Sequence, residues 1–223
     1  MNRRSVKKNV KSGTAETMER ILDTAERLFA ERGFETTSIR DITSAAGVNL
    51  ASINYHFRTK QELIAAVFVR RVGPINQRRL ELLAEIEQKA GRKPPTIEAL
   101  IEAMIRPAAA TGFDQQKGND ILLRLTGRFF SEPNVEIDQL IHANFQKMMS
   151  RFIGAFLRVL PGLTKEELYW RLKFIFGALH HVLLTLNRQD STRSHPGKKL
   201  DREELVQRLV AFAAAGIKAP ASH

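Results

Sequence analysis

The segment Asn49-Leu50-Ala51-Ser52-Ile53-Asn54-Tyr55 carries amide, hydroxyl and phenol groups at intervals that a short helix would turn largely to one side. Asparagine can pair with an adenine edge, serine with several bases, and leucine or alanine can contact a thymine methyl. The first turn of such a helix presents free N–H groups and a partial positive charge, which suit a phosphate. A helix of this kind fits a duplex major groove, about 12 Å wide. Base contacts would fall first on Asn49, Leu50, Ala51 and Ser52. The same pattern also serves an ordinary helical hairpin with one polar face.

Catalytic chemistry finds little support. The six histidines are His56, His142, His180, His181, His195 and His223, and none has zinc-protease spacing. There is no serine elbow and no phosphate loop. Cysteine is absent, which excludes disulfides and thiolate metal sites. We therefore expect no enzyme, no metal and no cofactor. His56 is expected to pack or hydrogen-bond, and His180-His181 to face a subunit contact, a pocket or solvent.

The elements that would hold the polar helix can be read from periodicity and caps. Met18, Ile21, Leu22, Ala25, Leu28 and Phe29 recur at steps of three and four, which predicts a helix over about 15–32 with Gly33 as its C-cap. Ser38 and Asp41 have capping-box spacing and open a second helix that ends near Ala46-Gly47. Asn49 can cap a short third helix to about His56. Ile39, Ile42, Ala46, Val48 and Ile53 form the inward face, and the small Ala45 and Ala46 let two helices cross closely. Thr59 and Glu62 form another capping box, opening a long helix that Gly73-Pro74 should kink or interrupt. After a loop at 89–95, helices are expected over 96–110, 116–130, up to Pro161-Gly162, from Thr164 to 187, and from Asp201 to about 217. The polar stretch 187–200 reads as a loop. No strand is expected.

The 223 residues carry 35 Lys/Arg against 24 Asp/Glu, a net charge of +11, which favours an anionic partner. Residues 1–71 hold 13 basic and 8 acidic side chains, and the tail up to Gly13 has no acid. That tail suits either a solvated, disordered arm or one that touches the DNA backbone or minor groove. No apolar run reaches the length of a membrane span, and no apolar stretch follows the basic start as a secretory signal requires. A cytoplasmic protein is expected.

From about residue 17 to 70 the chain resembles the DNA-binding domain of the TetR family of regulators. The resemblance rests on Ala25-Glu26-Arg27-Leu28-Phe29-Ala30-Glu31-Arg32-Gly33-Phe34, on Thr37-Ser38-Ile39-Arg40-Asp41-Ile42, on Ala46-Gly47-Val48, and on His56-Phe57 followed by Lys60 and Leu63. It implies that Thr37 and Ser38 bind phosphate, that Asn49 to Ser52 face bases, and that Lys60 binds phosphate at a helix start. Arg40, Asn54 and Tyr55 join the expected DNA-binding set. The family usually has tyrosine two places before the histidine. Here Asn54 stands there with Tyr55 beside it, so a phosphate contact could have moved to Tyr55.

The resemblance further implies a larger helical domain that dimerises through its last two helices and encloses an effector pocket. A dimer would also match two half-sites one helical turn apart. The same helices could instead merely complete a monomer core. The stretches from Ile121 to Pro133 and from Leu168 to Phe174 are similar to the fatty-acid-responsive branch. This implies a hydrophobic or acyl effector, with Arg124, Arg128 or Arg171 holding its acid group and Phe129, Phe145, Met148, Met149, Phe152 and Ile175 lining the pocket. Such stripes also serve as plain core.

The expected fold class is all-α, with about nine helices. A basic arm over 1–14 precedes a three-helix helix-turn-helix domain over 15–74, with the motif at about 38–57. A ligand-binding and dimerisation domain covers 75–218. The expected function is a ligand-responsive transcriptional regulator, a repressor on a palindromic operator. The alternative is a lipid-binding or membrane-surface helical protein.

Overall fold

The computed structural model describes residues 3–113, 119–132, 134–187 and 201–220. Among them the chain forms nine α-helices and no strand. They are α1 (Arg3–Arg32), α2 (Ile39–Ala46), α3 (Leu50–His56), α4 (Lys60–Ala90), α5 (Ile97–Phe113), α6 (Asn119–Ser131), α7 (Val135–Val159), α8 (Lys165–Asn187) and α9 (Arg202–Lys218). The chain divides into two units. The first holds residues up to Arg71 together with Arg124–His142; the second holds Val72–Leu123 and everything from Ala143.

In the first unit α1 packs on α2 and α3, and α2 on α3. The apolar stripe of α1 explains this: Ile21, Ala25 and Phe29 are fully buried, and Ile42, Ile53 and Leu63 from the next three helices join them. Burying such a large apolar side chain contributes about 1.5–3 kcal/mol. That contribution keeps α2 and α3 helical, although eight and seven residues are too few to persist alone.

A charged lock lies in the same unit. Glu26 of α1 is 2% exposed and accepts hydrogen bonds from Arg70 and Arg71 of α4, the latter through Nε at 2.7 Å. Arg70 also holds Asp23 at 2.8 Å and Glu19 at 3.0 Å. Burial works against the charge on Arg70, but the bonds to Glu26 and Asp23 more than offset it, and its pKa lies above the ordinary value.

The structure differs from the expected boundaries in three places. Helix α1 starts at Arg3, so the stretch expected as a disordered arm to residue 14 lies within it. No glycine or proline precedes Gly13, lysine and arginine are good helix formers, and the Thr17 hydroxyl donates to the Gly13 carbonyl at 2.8 Å. Helix α4 runs through Gly73-Pro74 without the interruption that is one of the two alternatives expected there. Pro74 is exposed while Val72, Ile75, Asn76 and Arg79 around it are buried, so packing holds the helix across one missing N–H donor. Finally, Arg124–His142 belongs to the first unit, not to the domain expected from residue 75 onward. The Phe129 ring lies 4.8 Å from Phe34 and 4.2 Å from Phe68, and the Phe34 N–H donates to Glu132 at 2.8 Å. Gly33, at φ 95°, permits this approach, because a Cβ there would meet Glu132 Oε1 at 2.7 Å.

In the second unit α5 packs on α8 and α9, and α8 on α9. Leu100, Ile101 and Met104 meet Phe152 and Phe156 of α7, Leu168 and Leu172 of α8, and Val206 and Ile217 of α9 in one core. Asp201 caps α9 as expected, accepting from the Glu204 N–H at 2.7 Å. The expected loop between the last two helices falls on 188–200, outside the described residues, as does the expected start of the sixth helix near 116. Among the described residues no helix is long and apolar enough to cross a membrane.

Glu26→Gln removes the charge that two arginines share. We expect a loss of about 2–3 kcal/mol in urea unfolding, less than for a fully sealed pair because both arginines keep some exposure. An unchanged midpoint would show that the lock adds nothing.

Candidate nucleic-acid interface

The α2–turn–α3 segment is shaped by its caps. Ser38 is the N-cap of α2: its hydroxyl oxygen accepts from the Asp41 N–H at 3.1 Å, while its own N–H donates to the Asp41 carboxylate at 2.8 Å. The Ser38 hydroxyl and backbone together hold the Asp41 carboxyl below the usual range. Gly47 ends α2 at φ 62°, ψ 40°, the left-handed conformation that glycine adopts most cheaply. Two residues later Asn49 caps α3. The turn is therefore three residues long, and Ile42 and Ile53 meet the α1 core on either side of it.

With Ile53 at 1% exposure and Phe57 at 7%, the opposite side of α3 faces outward. Leu50 is 53% exposed and Tyr55 77%, and Ala51 and Asn54 are exposed as well. The Tyr55 ring stands edge-on to His56 at 5.0 Å. Arg40 of α2 is exposed. Beside α3 runs an open groove of about 460 Å³, lined by Gly13, Thr14 and Thr17 of α1 and by Asn49, Ala51, Ser52, Tyr55 and His56. Periodicity gave no sign of this groove, because α1 was expected to begin only at residue 15.

Three expected contacts look different in place. Thr37 is 0% exposed, and its hydroxyl donates to the carbonyls of Gly33 at 2.8 Å and Leu28 at 3.3 Å. It ties the α1–α2 corner together and offers nothing to a phosphate; this corrects the expectation. Asn49 Oδ1 accepts from both the N–H and the hydroxyl of Ser52, at 2.8 and 2.9 Å. The two side chains are thus joined, and the Asn49 oxygen is committed to the cap. Lys60 is half-buried at the start of α4, where Nζ donates to the Glu35 carbonyl at 3.4 Å.

The residues expected to hold an effector are divided between the two units. Met148, Phe152 and Ile175 belong to the core of the second unit, with Phe145 and Met149 packed partly against it. Arg124, Arg128 and Phe129 belong to the first unit. There Arg128 pairs with Glu132 at 3.0 Å, and Arg124 is exposed. Arg171 of α8 is 7% exposed and closes the end of α9, donating to the carbonyls of Ile217 at 2.7 Å, Ala219 at 2.6 Å and Pro220 at 3.0 Å. Its guanidinium is occupied by a structural duty, so it is not available as the expected acid anchor. Not anticipated were Asn76 and Arg79, buried on α4. Their signal was present in the sequence, since Val72, Ile75, Arg79 and Leu83 share one helical stripe in which only Arg79 is charged.

Comparison with known proteins bears on both units. Residues 21–67 match the family model described as bacterial regulatory proteins, tetR family, and residues 102–216 match the one described as tetracyclin repressor-like, C-terminal domain. The HTH-type transcriptional repressor KstR2 of Rhodococcus jostii is 28% identical over 134 residues, 58% of this chain and 63% of that one. The match therefore spans less than two thirds of that relative. Among solved structures, a TetR family transcription regulator from Marinobacter aquaeolei VT8 superposes with a TM-score of 0.63 at 15% identity, over 92% of this chain and 97% of that one. FadR from Bacillus subtilis in complex with stearoyl-CoA gives 0.60 at 18% identity, over 89% and 98%. At these identities the two structures speak for the fold alone.

The buried Thr37 generates a direct check. Thr37→Val keeps the shape and removes the hydroxyl donor from the Gly33 carbonyl, so unfolding free energy should fall by about 1–2 kcal/mol in urea titration. Unchanged stability would return Thr37 to the list of phosphate ligands.

Proposed function

This chain belongs to the TetR family of bacterial regulatory proteins, and from that premise we propose that it is a homodimeric, ligand-responsive DNA-binding transcriptional regulator. The observation that carries the reading is the short α3, capped at both ends and anchored by Ile53, with Leu50, Ala51, Asn54 and Tyr55 turned outward. A helix so held can enter a major groove without local unfolding. In this reading Leu50 and Ala51 meet thymine methyls, while the Asn49 amide, Ser52 and Asn54 meet base edges. Ser38, Arg40, Tyr55 and Lys60 serve the phosphates on either side.

One such unit covers half a site, so the reading needs a second copy of the chain. Helices α8 and α9 pack on each other and carry exposed aromatics: Trp170 at 47% and Phe174 at 69% on α8, and Phe212 at 69% on α9. The Trp170 and Phe174 rings lie 6.4 Å apart, an exposed apolar patch of the kind that a partner surface covers. A symmetric four-helix contact with a partner copy would bury them. The family and the relative named a repressor favour repression of an operator, released by a small effector. The apolar core of the second unit and the likeness to FadR, whose structure holds stearoyl-CoA, favour a hydrophobic effector such as a fatty acid or acyl-CoA. Release requires that the effector bind better to a conformation unfit for the operator.

The test is selection of bound duplexes from a random pool, followed by affinity measurement over a range of salt. An inverted repeat should emerge. Lys60→Ala should weaken binding to all duplexes and reduce the salt slope by about one. If no duplex is enriched at moderate ionic strength, the proposal fails.

Paired substitutions Phe174→Glu and Phe212→Glu place charges on the aromatic face. Sedimentation should then report monomers where the parent chain gives dimers, and affinity for the inverted repeat should drop more than tenfold. A dimer that survives both changes uses another surface.

A further inference from the structure

The second unit buries a cation that meets no carboxylate among the described residues. Arg79 of α4 is 5% exposed, beside Asn76 at 8%. Its Nε donates to the Met104 carbonyl of α5 at 2.8 Å, and its Nη1 to Asn76 Oδ1 at 2.8 Å. Its guanidinium carbon lies 5.2 Å from the centroid of the Phe176 ring of α8. All three partners are neutral. A guanidinium has five N–H donors, and among the described residues these bonds use two of them, neither on Nη2.

Burial draws the Arg79 pKa down to about 10, which still leaves it charged at neutral pH. A buried charge without a counter-ion is costly. The other deeply buried charges of the described residues are met: Glu26 by two arginines, and Arg171 by Glu167 at 2.8 Å and the carbonyls that end α9. A bracing role for Arg79 at the Met104 carbonyl, three residues before Pro107, would engage one donor and would not need a full charge.

We propose that Arg79, oriented by Asn76 and Phe176, anchors the carboxylate of a largely apolar ligand taken up by the second unit. This rests on the effector-binding role proposed above for that unit and adds the chemistry of the head group. One positive charge matches one monoanion, and the other buried cation of the unit, Arg171, is engaged at the end of α9. The apolar body would lie among the methionine and phenylalanine side chains of the same core. The ligand class is therefore a free acid with a hydrophobic body, as distinct from an ester, an amide or a dianionic phosphate.

The experiment uses the full chain, stripped of ligand, and reads the rise in melting temperature with octanoate, dodecanoate and 2-naphthoate, each beside its primary amide. At least one carboxylate should bind tenfold or more tightly than its amide. Arg79→Met should erase that preference while leaving amide binding unchanged, and Arg79→Lys should keep only part of it. The proposal is overturned if no carboxylate outdoes its amide in the parent chain, or if either variant keeps the full preference. If Arg79→Met does not fold, the comparison of the parent with Arg79→Lys decides the matter. Binding to the selected duplex, measured on the same samples, separates the two proposals. If Arg79→Met loses a carboxylate preference that the parent shows, while the parent binds no duplex, the anchor stands and the regulator falls. A variant that keeps the preference and still binds its duplex sinks the anchor alone.

Discussion

A helix of seven residues has no stability of its own, and the first unit is organised around that constraint. Helix α3 is held by Ile53 on its inner face, by the Asn49 cap at one end and by the buried Phe57 corner at the other, where the Phe57 N–H donates to the Ile53 carbonyl. Each of these depends on something further out. Ile53 needs the α1 stripe, the Asn49 cap needs the left-handed turn at Gly47, and the α1–α2 corner needs the Thr37 hydroxyl on two carbonyls. Glu26, gripped by Arg70 and Arg71, then fixes α1 to α4. The outward face of α3 is free to be polar because none of its side chains is needed to hold the helix, with the exception of Asn49 and Ser52.

That exception shows where the sequence stops being legible. The caps, the turn glycine and the inward apolar residues were all readable, because backbone chemistry at a helix end admits few residue types. What a hydroxyl or amide does with its hydrogen bonds was not. Thr37 and Ser38 are neighbours of similar chemistry, yet one is sealed against carbonyls and the other caps a helix at the surface. Asn49 has the right chemistry both for an adenine edge and for a cap, and the structure uses its oxygen for the cap. Aromatic packing was invisible for a different reason. Phe34, Phe68 and Phe129 lie far apart in the chain, and no periodicity within one helix reveals that Arg124–His142 joins the first unit.

Net charge is an equally coarse guide. The excess of +11 is what remains once the 24 acids are set against the 35 basic side chains, and many cations pair with those acids within the fold. Arg106 bridges Glu102 and Glu203, Arg151 and Arg158 share Glu87, and Arg78 holds Glu81 and Glu85. Such surface pairs contribute little stability each, but they remove charge from any long-range field. Attraction for a polyanion must come from cations without a carboxylate partner, and Arg40, exposed on α2, is one candidate.

The two units treat a buried charge in opposite ways, and the contrast carries functional weight. In the first, Glu26 is enclosed and fully compensated, an arrangement that rigidifies and needs no ligand. In the second, Arg79 is enclosed among neutral partners, so its charge is left with only an amide, a carbonyl and a ring face. A replacement of similar volume and no charge would pack there at lower cost, since an apolar core tolerates a methionine more readily than an unpaired guanidinium. A ligand carboxylate at Arg79 would supply the compensation that Glu26 already finds in its two arginines.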